Sequence, residues 1–250
     1  MQPGSVETRL AQGLEKARSL FFVLLDPDSD TADGVIASGL RAARHGADAL
    51  LLGGSFVGNP NFMRIAQGIK KESQVPVILF PGGCSHVTPG PDAILFTTLI
   101  SGRNPQYLID EQVKGAVLVR GLKMEAIPTA YLLIESGRTT AVEYISNTRP
   151  IPADKPAIAA AHAMAAELMG QRWLYLEAGS GALNAVPVPM VQAVRASVGM
   201  KVIVGGGIRT PEQARERAEA GAHAIVVGNH FEGKQDEALI DAFVQAVHGT

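Results

Sequence analysis

KVIVGGGIRTPEQARERAEAGAHAIVV, residues 201–227, holds one complete strand–turn–helix–strand unit. Lys201–Val204 is a short apolar run without apolar/polar alternation, as expected of a parallel strand covered on both faces. Gly205-Gly206-Gly207 makes the turn. Thr210-Pro211-Glu212-Gln213 then opens a helix with an N-cap hydroxyl, a proline at the first position and an early acid, and Gly221 closes it. The next apolar run, Ala224–Val227, follows at once.

Seven strand-like runs of this kind precede or include that unit's first strand, and Ala224–Val227 makes the eighth. The others are Leu20–Leu25, Ala47–Leu52, Val75–Phe80, Ala93–Thr97, Ile127–Ile134 and Arg172–Leu176. Helical patterns such as Ala32–His45, Pro156–Met169 and Pro187–Ser197 lie between them. Eight strand–helix units in 250 residues have the size and rhythm of a (β/α)8, or TIM, barrel. A doubly wound open sheet is the competing α/β arrangement, because alternation alone does not prove closure. The count of eight and the lack of any composition shift favour one barrel domain spanning 1–250.

Two units are irregular. PGGCSHVTPGPD (81–92) packs three prolines and three glycines between the third and fourth strands, and no helix of normal length survives that. The barrel is therefore modified, with its third helix missing or replaced by a loop, and a gap in the wall can offer an apolar groove to something long. ESGRTTAVEYISNTRPIPADK (135–155) is the second excess, a long loop after the fifth strand of the sort that forms lids and binding loops.

Composition narrows the function. A net charge of −2 gives no basic stripe for nucleic acid. The single cysteine, Cys84, cannot form an internal disulfide, which suits a cytoplasmic protein. The apolar run near the N-terminus, Leu20–Leu25, falls far short of the roughly 18 residues that span a bilayer.

Barrel chemistry sits at the C-terminal ends of the strands. The glycine turns after strands seven and eight, Gly205–Gly207 and Gly228-Asn229, match the recurrent phosphate site of such barrels, although they could also serve only as tight turns. YLEAGSGA (175–182) places Glu177 beside the small residues Ala178 to Gly181 at the end of strand six. A carboxylate there either caps a turn or meets a substrate. Asp26-Pro27-Asp28 after strand one can cap the next helix or hold Mg²⁺ with Ser55 of the adjacent strand, and spacing does not separate the two. His86, His230 and Cys84 carry no recognisable spacing for metal or nucleophilic chemistry.

LLDPD (24–28), LLLGGSF (50–56), AILFTTLISGRNPQYLIDEQVKGA (93–116), YLEAGSGA, VIVGGGIRTPEQA (202–214) and VVGNHFE (226–232) together resemble the geranylgeranylglyceryl phosphate synthase family, which includes bacterial heptaprenylglyceryl phosphate synthases. The resemblance implies a barrel without its third helix and a Mg²⁺-dependent prenyltransferase. Such an enzyme joins sn-glycerol 1-phosphate to a polyprenyl diphosphate, with geranylgeranyl the expected donor, and releases diphosphate. By motif, Asp26 and Ser55 would be Mg²⁺ ligands. Tyr175, Leu176, Glu177, Ala178, Gly179, Ser180 and Gly181, with Gly206, Gly207, Gly228 and Asn229, would hold the glycerol phosphate. Some relatives carry a lysine two positions before the DP aspartate. Here Leu24 stands there, so the chain resembles the second branch, in which another cation, or Mg²⁺ alone, holds the diphosphate.

Glu177 is the expected base for the acceptor hydroxyl, and Tyr175 shares its face by two-residue alternation. A transient membrane contact and a homo-oligomer, through an apolar face such as Tyr107–Val119, are further expectations. Two other readings stay open: a phosphosugar isomerase or synthase on a phosphate-binding barrel, and a non-catalytic isoprenoid-binding barrel.

Overall fold

In the computed structural model, which describes residues 3–228 and 237–249, the eight strands close into a parallel barrel in sequence order. They are β1 (Leu20–Leu25), β2 (Ala49–Leu52), β3 (Val77–Leu79), β4 (Ala93–Thr98), β5 (Glu125–Leu133), β6 (Trp173–Glu177), β7 (Lys201–Gly205) and β8 (Ala224–Val227). Closure is made by β1 against β8, with Leu20 opposite Ala224 and Val23 opposite Val227. The open-sheet alternative is thereby removed. The helices are α1 (Ser5–Leu14), α2 (Ala32–Arg44), α3 (Phe62–Glu72), α4 (Glu111–Gly121), α5 (Ala141–Ser146), α6 (Pro156–Leu168), α7 (Val188–Ser197), α8 (Pro211–Glu219) and α9 (Glu237–His248).

The strand runs lack alternation because both faces are buried, yet the two-residue period still sorts their side chains. Phe21, Val23, Leu50, Leu52, Leu174, Leu176, Val202 and Val204 face the surrounding helices. Phe22, Leu51, Ile78, Leu95, Trp173, Tyr175 and Ile203 fill the lumen. The same period carries Glu177 to the lumen face, directly above Tyr175 and Trp173. It lies at the C-terminal mouth because β6 extends one residue beyond the expected Leu176.

Helix α8 starts as its sequence dictates, with the Thr210 hydroxyl accepting the Gln213 amide at 3.3 Å. α1 closes the opposite end of the barrel. Val6 and Leu10 join the lumen cluster, and Glu125 at the start of β5 accepts the Val6 and Glu7 amides at 2.8 and 2.9 Å. That carboxylate satisfies the helix's first free N–H groups. Buried Glu7 in turn pairs with Arg172 at 2.6 Å and accepts the Trp173 indole N–H at 3.0 Å.

No α-helix follows β3. Residues 80–92 form a loop with one 3-10 turn, Cys84–His86, in which the Gly82 amide donates to His86 Nδ1 at 3.1 Å. His86 thus orders the loop and is half-buried. Residues 135–155, expected as an irregular loop, contain α5, a helix too short to announce itself by periodicity. A π-helical turn, Gln106–Asp110, precedes α4, and Gln112 Nε2 bonds the carbonyls of Thr97 and Tyr107 at 2.7 and 3.0 Å across it.

Candidate active site

Glu177 sits at the top of the lumen with only 5% of its surface exposed. Gly179 N donates to its Oε1 at 2.6 Å. Burial pushes the carboxyl up to about 7, against the opposing pull of the Gly179 amide and of Tyr175. Beneath it, the Tyr175 ring stacks on Phe80 at 5.0 Å and meets Tyr131 at 5.6 Å. The Tyr175 hydroxyl is buried without a partner in hydrogen-bond geometry, although it lies near enough to favour the Glu177 carboxylate electrostatically. Burial, and then the Glu177 charge, push both tyrosines well above the ordinary phenol range, so they stay protonated.

Two glycine loops meet beside this carboxylate. Ala178 N donates to Gly205 O at 3.0 Å, joining the end of β6 to the end of β7. Gly206 has φ +79°, and a Cβ there would lie 2.2 Å from Glu177 Oε1, so only glycine fits. Among the described residues the N–H groups of Gly181 and Gly207 meet no protein acceptor, and Gly206 lines the cavity with them. Backbone donors turned toward a cavity make an anion cradle. Thr140, from the loop after β5, packs over Gly179, where a Cβ would come within 2.6 Å of its hydroxyl, and that buried hydroxyl also lacks a partner.

On the other side, Asp26 is half-buried at the end of β1. Its Oδ1 accepts the Asp28 amide at 2.9 Å, and no described residue bonds Oδ2. Burial raises this carboxyl above its usual value, the Asp28 charge adds to that, and the Asp28 amide opposes it. Neither acid caps α2. Thr31 does, and Asp28 instead accepts the Gly58 amide at 2.8 Å to tie down the loop after β2. The capping alternative for Asp26 and Asp28 is thus corrected. Ser55 lines the same cavity, with no bond to its hydroxyl among the described residues. One free carboxylate oxygen and one hydroxyl are hard donors that fit Mg²⁺, provided that substrate oxygens and water complete its shell. No group of three His, Cys, Asp or Glu side chains among the described residues forms a self-sufficient metal site.

The cavity, of about 300 Å³, runs from this mouth into the wall. Phe80, Val87, Phe96 and Leu99 line it there, with Gly115 of α4 and Ile145 of α5. The loop that stands in place of a helix after β3 supplies Pro81, Gly82, Gly83 and Cys84 to the same lining.

The PcrB family model matches residues 13–247. The chain belongs to the PcrB family. It is 47% identical over 228 residues to the geranylgeranylglyceryl phosphate synthase of Korarchaeum cryptofilum, covering 91% of this chain and 93% of that one. It is 44% identical over 230 residues to the synthase of Spirosoma linguale, covering 92% of each. The solved structure of (S)-3-O-geranylgeranylglyceryl phosphate synthase from Thermoplasma acidophilum, in complex with sn-glycerol-1-phosphate, has a TM-score of 0.91 and 31% identity over the full length of both chains. N-acetylmannosamine-6-phosphate 2-epimerase from Clostridium perfringens, at 14% identity and a TM-score of 0.58 over 87% of this chain and 90% of that one, shares the fold alone.

Among the residues singled out by sequence in this family member, Ser55, Tyr175, Glu177, Gly179, Ser180, Gly181, Gly206, Gly207 and Gly228 line one cavity. Leu176 and Ala178 do not. Leu176 packs outward against the helices and Ala178 is buried beside it, so only their backbone could serve the site. Asp26 stands beside Gly54, just outside the lining. Asn229 lies outside the described residues, as does His230. Sequence reading missed Tyr131, Thr140 and Gln112. Only Tyr131 left a signal, as the one aromatic of its strand and on the lumen register.

Proposed function

We propose that this protein is a prenyltransferase that forms an ether between sn-glycerol 1-phosphate and a polyprenyl diphosphate of geranylgeranyl type, releasing diphosphate. The observation that carries the reading is one cavity in which a buried carboxylate separates an anion cradle from an apolar groove. A phosphosugar enzyme needs the cradle but not the groove. A passive carrier needs no carboxylate buried at energetic cost.

In this reading the acceptor phosphate rests on the amides of Gly181, Gly206 and Gly207, with Gly228 lining the same cavity. Its free hydroxyl then faces Glu177. The prenyl tail lies along Phe80, Val87, Phe96 and Gly115, so that the allylic carbon is presented at the mouth. Placing two reactants this way removes much of the barrier. Glu177 accepts the hydroxyl proton as the C–O bond forms. A carboxyl held near 7 is suited to that exchange at neutral pH. Tyr175, buried and protonated, orients the carboxylate. Asp26 and Ser55 would hold Mg²⁺, which when bound neutralises the leaving diphosphate as a Lewis acid.

The protein would act as a single catalytic domain. We place the reaction in the cytoplasm, with transient contact at a membrane surface through the lipid substrate and product. Among the described residues no helix is long and apolar enough to cross a membrane. Self-association through the outer face of α4 is part of the same proposal, since Val113 and Val117 there are 61% and 73% exposed. The test is an assay with sn-glycerol 1-phosphate and prenyl diphosphates of several lengths, read by product mass. Absence of an ether product with every donor overturns the reading.

A further inference from the structure

The anion cradle is shared between two loops, and one side chain ties them together. Arg209 follows the glycines of the β7 loop. Its Nη1 donates to Leu183 O at 2.9 Å and its Nη2 to Ala182 O, both in the loop after β6. Its own amide donates to Gln213 Oε1 of α8 at 2.8 Å, which fixes the residue from behind. The loops press together beside this clasp, where a Cβ on Gly207 would come within 2.8 Å of the Asn184 carbonyl. Among the described residues Arg209 is also the only lysine or arginine lining the cavity, whose other charged side chains are Glu111 and Glu177.

Carbonyl oxygens near an anion repel it unless they are engaged elsewhere. A planar guanidinium engages two at once through a fixed fork, whereas an ammonium offers three donors on one nitrogen without that fixed spacing. Without it, Ala182 O and Leu183 O lose their partner. The Gly181 amide is then no longer held in register with those of Gly206 and Gly207.

We propose that Arg209 is the positioning residue of the acceptor cradle, clasping the β6 loop onto the β7 loop and supplying the cavity's cationic charge for a phosphate. The inference rests on the acceptor assignment made above. It assigns Arg209 to the acceptor and leaves the donor diphosphate to the Asp26 side.

The experiment is calorimetric titration of the full chain with sn-glycerol 1-phosphate, together with steady-state kinetics in both substrates. Arg209→Ala should raise the acceptor Kd and KM about 10- to 100-fold, the loss expected for charge-assisted hydrogen bonds. The donor KM and the kcat at saturating acceptor should stay within about threefold of wild type. Arg209→Lys should recover the affinity only in part, because it restores charge without the fork. An unchanged acceptor KM in Arg209→Ala overturns the proposal. So does a donor KM that rises as much as the acceptor KM, or full recovery by Arg209→Lys. Thermal unfolding accompanies each variant, and the Arg209→Lys comparison carries the test if Arg209→Ala does not fold. Wild-type protein that binds no sn-glycerol 1-phosphate overturns the acceptor assignment itself. Tight wild-type binding with an unaffected Arg209→Ala variant overturns only the role of Arg209.

Discussion

Glu177 and Gly206 compete for one volume: a β-carbon on residue 206 would stand 2.2 Å from Glu177 Oε1 and 2.6 Å from the Gly179 nitrogen. The turn after β7 is therefore glycine because the carboxylate of β6 is buried against it. Gly206→Ala also meets a φ of +79°, so it should displace both groups. The expected loss is about 100-fold or more in kcat/KM, on the scale of removing a preorganised donor. Steady-state kinetics on protein with an unchanged circular dichroism spectrum checks it.

The protonation of Glu177 sets a second expectation. With its carboxyl at about 7, the base form is the minority below neutral pH and the majority above it. The rate should rise through an acid limb near 7, where an ordinary glutamate would place it near 4.5. Glu177→Gln should remove that limb and most of the turnover while leaving acceptor affinity within about threefold. Stability moves the opposite way. The folded state holds this proton more tightly than the unfolded chain, so stability falls as pH rises from about 4.5 to 7 and stays lowered above that. Glu177→Gln should then be more stable than wild type at pH 8 by on the order of 1–3 kcal/mol. Urea unfolding at pH 5 and pH 8 tests the difference.

Asp26→Ala removes the free carboxylate oxygen at the mouth. Activity should fall about 100-fold or more, and the residual rate should need more Mg²⁺, as for loss of a ligand to a catalytic cation. Ser55→Ala should show a smaller shift in the same direction. A Mg²⁺ titration curve unchanged in Asp26→Ala would falsify the ligand assignment.

Gly115 faces the groove from α4. A β-carbon there would lie 3.8 Å from Cys84 Cβ and 3.9 Å from the Phe96 ring, which is ordinary contact. Gly115→Ala should be tolerated and should stabilise the helix by roughly 0.5–1 kcal/mol. Gly115→Phe should narrow the groove, and its KM should worsen with each added isoprene unit of the donor. Equal effects on short and long donors would remove the tail from this wall.

The barrel floor is a stability device separate from the site. Glu7→Ala removes the Glu7–Arg172 ion pair and the acceptor of the Trp173 indole N–H. Because the Arg172 side chain is 24% exposed, the cost should be about 2–3 kcal/mol, below that of breaking a fully enclosed pair. Guanidinium melts measure the loss, and kcat per folded molecule should not change.

The barrel was legible because its strands are short, unbroken apolar runs, and because the Thr210-Pro211 cap and Gly221 punctuate the helix between β7 and β8. The missing helix was legible too, since the prolines and glycines of 81–92 forbid one by local rules alone. Glu177 and its glycines could be read because they follow a strand end. Arg209 could be seen there as well, but not its clasp, because its partners are carbonyls at 182 and 183, which no side-chain pattern records. Thr140 was invisible for a related reason: it reaches Gly179 only through a fold in the loop after β5. Asp28 misled because an acid near a helix start suggests a cap, while its amide acceptor role is spent on Gly58 in another loop.

Where a helix would stand after β3, Pro81, Gly82, Gly83, Cys84 and Val87 give the cavity a thin wall of loop, held to α4 by the Cys84 amide donating to Glu111 Oε2 at 2.6 Å. On the assignment proposed above, the acceptor occupies the glycine end of the cavity and the donor tail its apolar stretch, so the two claim separate volumes. Neither then has to arrive first. The two-substrate kinetics should be random-order, and a strictly ordered pattern in product inhibition would count against that division of space.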